Sequence, residues 1–208
     1  MKWIFNNNIQ RPKVDIRRQM LPITNVISSL PWNPDRKWGR RPTSKIDSVI
    51  VHQIGRLPGI DKPCTMEDVN TYHITPSFDR DGDGTIENWE RNHLTDKGAP
   101  HICYHFAIAR SGQIFQTNRV TDVTWHCKRW NTRAIGVLVE GDFDGPNWEG
   151  TEVPTANQNR NLKRLLRILG KRYNIASENM KGHGETNALK EACPGNIIMK
   201  ILENFRKG

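Results

Sequence analysis

Two short apolar runs limit what this chain can fold into. "SVIVHQ" (48–53) is a compact β-branched stretch, and "AIGVLVEG" (134–141) reads as a second buried strand. "ICYHFAIARSGQIFQ" (102–116) reads as two further strands joined at Ser111-Gly112. Helices are predicted between and after them. Thr155 with Gln158 makes a capping box ahead of Leu162, Leu165, Leu166, Leu169 and Tyr173, which fall on one helical face. A second helix is predicted over roughly 66–74 and a third after Pro194 through "NIIMKILENF". Strands mixed with helices define an α/β domain with a central sheet. At 208 residues and 36% apolar, the chain suffices for one well-formed core and is short for two. Residues 1–44 are basic and broken by Pro12, Pro22, Pro31, Pro34 and Pro42, so they are expected to form an irregular arm draped on a domain spanning 45–208.

Charge and composition narrow the partners without choosing one. A formal charge of +9 predicts attraction to a polyanion: nucleic acid, an anionic membrane surface or the anionic polymers of a bacterial wall. No run of about 18 apolar residues is present, which argues against stable membrane insertion. "MKWIFNNNIQRPK" lacks the features of a secretory signal, so synthesis and retention in a cytoplasm are expected. Cys64, Cys103, Cys127 and Cys193 are too few and too scattered for a disulfide framework, and none forms a Cys-x-x-Cys pair.

The segment "DRDGDGTIENWE" (79–90) carries every residue that an EF-hand loop requires. Asp79, Asp81 and Asp83 hold the first, third and fifth positions and Gly84 the sixth. Thr85 would contribute its backbone carbonyl at the seventh, Glu87 a water-mediated contact at the ninth, and Glu90 both carboxylate oxygens at the twelfth. The reading is a calcium loop; the alternative is an acidic surface turn. Pro76 interrupts the entering helix of a full EF-hand, and no second loop exists to pair with it.

"GHGETNALKEACPG" (182–195) brings His183 and Cys193 within ten residues on a loop between helices. Two such side chains do not complete a catalytic zinc site, which takes three protein ligands and leaves a fourth position for water. His52, ending the apolar strand "SVIVHQ", is the best third donor; taken singly, a histidine at a strand end is more often a hydrogen-bonded structural residue.

Five motifs in the same order, "IVHQIG", "CYHFAIARSGQIFQ", "TWHCKRWNTRAIGVLVEG", the Thr155 to Tyr173 helix and "GHGETNALKEACPG", resemble the zinc-dependent N-acetylmuramoyl-L-alanine amidases. This is the type-2 amidase and peptidoglycan-recognition family, which includes phage endolysins. The resemblance implies a central mixed sheet flanked by helices, with zinc on His52, His183 and Cys193. It also implies cleavage of the amide joining N-acetylmuramic acid to the L-alanine of the stem peptide. Tyr104 takes the place of a tyrosine beside the metal, suited to donating a hydrogen bond to the carbonyl oxygen as it gains charge. His105, next along the same strand, should face the opposite way. His126 and Asn131 match positions that line the substrate groove and shape the following turn; for His126 the alternative is an outer-shell or structural histidine. Phage members often carry a lysine two residues before the cysteine ligand; here Glu191 stands there and Lys190 one step further back, both candidates for proton transfer. A glutamate used by some members is replaced by Leu138, and Glu140 shares its face as a weak substitute.

In this family the first helix passes to the tyrosine strand by a short connection, so the calcium loop belongs to an insertion at about 75–98. It is expected to order the groove's surroundings while the chemistry lies outside it. The overall reading is a monomeric, endolysin-like enzyme made in a cytoplasm and acting on peptidoglycan after release. The competing readings are a peptidoglycan-binding module without activity and a basic nucleic-acid-binding protein, the latter lacking any recognised motif.

Overall fold

The computed structural model describes residues 21–55, 57, 63–88, 90–143, 152–187 and 192–208. In chain order the elements are β1 (Ile23–Asn25), β2 (Gly39–Arg40), β3 (Ser48–Gln53), α1 (Met66–Ile74), β4 (Phe106–Ile108), β5 (Ile114–Gln116), β6 (Asp122–Val123), β7 (Ala134–Val139), α2 (Ala156–Tyr173), β8 (Met180–Gly182) and α3 (Asn196–Arg206). Six strands form a mixed sheet in the order β1-β5-β4-β7-β3-β8, and β2 and β6 pair separately. Only the β4–β5 hairpin of the large sheet is antiparallel; its other neighbours run parallel. Gly112 turns this hairpin at φ 87°, and a Cβ there would lie 2.5 Å from Asn157 Cβ, so the turn accepts glycine alone.

Both apolar runs became central strands because helices cover both faces of the sheet. Every residue of β3 and β7 is buried. Leu162, Leu165, Leu166 and Leu169 of α2 and Ile198 and Leu202 of α3 pack on Val49, Val51, Val137 and Val139. Met66 and Val69 of α1 pack on the opposite face, against Ala107 and Leu138. Capping boxes start two of the helices as the residue types dictate: Thr65 with Asp68 on α1, and Thr155 with Gln158 on α2.

Two expectations change. Residues 21–44 are woven into the domain rather than draped on it: β1 extends the sheet beside β5, β2 pairs with β6, and Leu21, Leu30 and Trp38 are buried. Only three residues pair in β1, so the run was too short to register as a strand in the sequence. The first 20 residues of the predicted arm lie outside the described residues. Second, β4 begins at Phe106, leaving Tyr104 and His105 just ahead of it. Upstream of β4 the backbone donors go to side chains instead of a ladder: Ile102 N–H to Asn70 Oδ1 (2.8 Å) and Cys103 N–H to His73 Nδ1 (3.0 Å).

Between the end of α1 and β4, no described residue is helical or in a strand, and buried asparagines hold the chain instead. Asn33 donates to the carbonyls of Ile74 (3.2 Å) and Lys97 (2.9 Å). Asn92 donates to those of Tyr72 (2.9 Å), His73 (3.1 Å) and Thr75 (2.8 Å), closing the open end of α1, and accepts from Leu94 N–H at 2.8 Å. Asn118 donates to the carbonyls of Ile102 (2.6 Å) and Tyr104 (2.5 Å).

Candidate active site

Strand register brings the first two site residues together. Val51 of β3 pairs with Gly182 of the parallel strand β8, so His52 and His183, one residue further on each, leave the sheet side by side at its carboxyl edge. Their ring centroids are 4.5 Å apart. The Cys193 loop is hung from the same edge. Gly184 N–H donates to the Cys193 carbonyl at 2.6 Å and Gln53 Nε2 to that of Ala192 at 3.3 Å. Cys193 Sγ then lies 3.8 Å from His52 Nδ1, and one ligand atom from each of His52, His183 and Cys193 falls within 4.8 Å of the others. A tetrahedral zinc site with bonds of about 2.0–2.3 Å needs its ligand atoms roughly 3.3–3.8 Å apart, so the two-nitrogen, one-sulfur set fits that ion with little movement.

Hydrogen bonding decides which nitrogen of His52 is available. His126 Nε2 faces the Ala134 carbonyl at 3.3 Å, and since a carbonyl only accepts, this nitrogen carries the proton. Its Nδ1 therefore accepts from His52 Nε2–H at 3.1 Å, which turns the unprotonated Nδ1 of His52 toward Cys193. Burial, reinforced by the neighbouring imidazoles of His183, His126 and His73, pushes the His52 pKa well below its ordinary value and keeps the ring neutral. Burial likewise lowers the His126 pKa to about 3. His126 reaches this position only because residue 136 is glycine: a Cβ there would sit 2.7 Å from His126 Cγ. Both ring nitrogens of His126 are thus engaged by the protein while its ring borders the groove, and its geometry is that of an outer support for His52.

Tyr104 is half-buried with its ring centroid 5.0 Å from that of His52. Burial raises its pKa well above the usual phenol value, so the hydroxyl stays a donor at neutral pH. Its backbone carbonyl accepts from Asn118 and from Thr117 Oγ1 (2.8 Å), fixing the residue without a strand. His105 turns the other way, as expected, and accepts from Gly136 N–H at 2.9 Å in the core.

The remaining predicted residues sit apart from this cluster. Asn131 Oδ1 accepts from Cys127 N–H at 2.7 Å and its carbonyl accepts from the buried Arg41 at 2.8 Å, so it shapes the turn and does not line the groove. Glu140 accepts from Met66 N–H (2.8 Å) and Arg110 N–H (3.1 Å), which ties the start of α1 to the hairpin and leaves no part for it in the chemistry. Lys190 and Glu191 lie outside the described residues. The acidic segment forms two groups sharing Asp81: Asp79, Asp81 and Glu90, and Asp81, Asp83 and Glu87. Asp79 accepts from Gly82 N–H and Gly84 N–H at 2.6 and 2.7 Å, and Glu90, fully buried, from Arg80 N–H and Glu87 N–H at 2.6 and 3.0 Å.

His52, Tyr104, His183 and Cys193 open into a groove of about 610 Å³. Its walls include residues to which the sequence assigned no role: His73 at the end of α1, His93 and Leu94 after the acidic segment, and Trp125 and Lys128 within the His126 motif. His93 is exposed and stacks on Tyr72 with ring centroids 5.0 Å apart. Only tertiary contact brings residues 93 and 94 to the groove, since they carry no motif of their own.

An α/β sandwich whose parallel strand ends present a His-His-Cys cluster beneath a groove is the architecture of the amidase and peptidoglycan-recognition fold. Residues 42–196 match the N-acetylmuramoyl-L-alanine amidase family, and the chain belongs to it. Among known proteins it is similar to peptidoglycan-recognition protein SC1a of Drosophila melanogaster, 23% identical over 121 residues, which make up 58% of this chain and 61% of that one. The chain thus spans about three-fifths of the length of the curated relatives it matches. Its fold resembles that of the endolysin amidase LysCS from Clostridium intestinale (TM-score 0.61, 22% identity, 88% of this chain and 94% of that one). It also resembles the Ph2119 endolysin from a Thermus scotoductus bacteriophage (0.58, 19%, 89% and 99%) and Drosophila PGRP-LB (0.58, 18%, 86% and 91%). No described helix is long and apolar enough to cross a membrane.

Proposed function

We propose that this chain is a zinc-dependent N-acetylmuramoyl-L-alanine amidase that cuts peptidoglycan between N-acetylmuramic acid and L-alanine, in the manner of an endolysin. The observation carrying the reading is the convergence of His52, His183 and Cys193 within 4.8 Å at the foot of the groove, with the Tyr104 ring beside His52. Zinc held there supplies an activated water and polarises the amide carbonyl. His52 is presented as a neutral imidazole by the His126 and Ala134 hydrogen bonds. Tyr104 holds its proton where it can donate to the carbonyl oxygen as that oxygen becomes negative. Lys190 and Glu191, by their place in the Cys193 loop, are the candidates for moving the remaining proton.

The test is incubation of the zinc-loaded chain with purified sacculi, followed by labelling of new amino termini. Free L-alanine amines should accumulate, and His52→Ala should abolish both their release and tight zinc binding. Binding to sacculi without release of L-alanine would make the chain a recognition module instead.

The acidic segment is read as a calcium site formed by Asp79, Asp81, Asp83, the Thr85 carbonyl and Glu90, with Glu87 acting through water. The EF-hand spacing and the convergence of five carboxylates in two groups sharing Asp81 support it. Carboxylates so close repel one another without a cation, and an ion bound only by the folded state raises its melting temperature. Calcium added to the metal-free chain should therefore raise the melting temperature, and Glu90→Gln should remove most of that rise while zinc content is unchanged. No calcium-dependent shift in the native chain would leave an acidic turn.

A further inference from the structure

Trp125 borders the groove as a half-buried indole held from several sides. The Arg36 guanidinium lies over the ring, 5.4 Å from its centroid. Trp38 meets it edge-on at 5.3 Å and 88°, and is itself fixed by an indole N–H bond to Asn118 Oδ1 at 2.9 Å. Leu94 packs in the same cluster and borders the same groove. Arg36 and Trp38 precede the family match, which starts at residue 42, and Leu94 comes from the insertion, so segments peripheral to the sheet build this wall.

We infer that Trp125 is the platform for a pyranose ring of the glycan strand, with Leu94 packing against an acetamido methyl. This rests on the reading of the groove as a peptidoglycan site. The reason is chemical complementarity. A stem peptide carries carboxylates, and the exposed Lys128 of the same groove provides the cation they seek. The wall formed by Trp125 and Leu94 presents carbon, which suits the apolar C–H face of a neutral N-acetylated sugar. The Arg36, Trp38 and Asn118 contacts hold the indole in place before ligand arrives, so little order is lost on stacking.

Calorimetry on the zinc-loaded full chain tests this with two probes: a neutral tetrasaccharide of N-acetylglucosamine, and a sugar-free stem pentapeptide. Trp125→Leu should weaken tetrasaccharide binding by about tenfold, the size expected of one aromatic contact, and change pentapeptide binding by less than about twofold. Trp125→Tyr, which keeps an aromatic face, should retain most of the glycan affinity. If Trp125→Leu does not fold, Leu94→Ser carries the test, with a smaller loss confined to the glycan. Undetectable tetrasaccharide binding by the native chain, or equal losses on both probes, would overturn the platform. A native chain that binds the tetrasaccharide through Trp125 yet releases no L-alanine from sacculi would sink the hydrolase reading and leave the platform standing.

Discussion

The His52–His183–Cys193 cluster and the wall around Trp125 face one groove but are held by different physics. The two histidines are fixed by the pairing of β3 with β8, and β3 is buried throughout and paired along its whole length with β7. Beside Trp38 and Trp125 the wall has only the two-residue pairing of β2 with β6. Elsewhere in it Asn33, Asn70, Asn92 and Asn118, all buried, satisfy backbone groups one at a time. The sheet distributes its hold over many hydrogen bonds and much apolar area. The wall concentrates its hold in a few side chains, and one asparagine lost there leaves several carbonyls unpaired.

That contrast sets a graded series of outcomes. Tyr104 stands at the junction, carried on the irregular segment but facing the cluster, and Tyr104→Phe removes only its hydroxyl. Turnover should fall by about a hundredfold or more with zinc retained, as for other lost oxyanion donors; unchanged turnover would make Tyr104 a packing residue and place the chemistry wholly on the sheet. His126→Ala leaves the three ligands in place but frees His52 to rotate and to protonate at the wrong nitrogen. Zinc affinity should drop by roughly 10–100-fold, as expected for an outer-shell partner, measured by competition with a chelator. An unchanged affinity would mean that β3 alone orients His52.

The smallest effect on chemistry is expected in the wall. Asn92→Ala removes the donor shared by the Tyr72, His73 and Thr75 carbonyls and the acceptor for Leu94 N–H. A cost of about 1–3 kcal/mol should appear as faster hydrogen exchange around residues 92–95, with protection of β3 and β7 unchanged. Equal loss of protection in both regions would show that sheet and wall unfold as one unit and erase the distinction drawn between them.

Part of the site was legible because its residues announce themselves locally. Cys193 and His183 stand within ten residues of each other, and His52 ends an apolar strand. For His126 the residues left substrate contact and an outer-shell role both open, because the choice depends on Gly136 lying beneath its ring and on the Ala134 carbonyl beside it. Glu140 and Asn131 carried the right residue types, and their partners, Met66 N–H and Cys127 N–H, lie elsewhere than the groove.

The amino-acid sequence by itself determined the α/β class, the two apolar strands and the three helices, with the cap of α2, since each follows from periodicity or from side-chain chemistry read within a few residues. The tertiary structure decided that residues 21–44 are part of the domain, that His126 supports His52, and that Leu94 and Trp125 share a wall with Trp38. Those outcomes depend on strand register and on hydrogen bonds between residues tens of positions apart. No local pattern encodes them, because each partner's residue type is satisfied equally well by many other neighbours until the sheet closes.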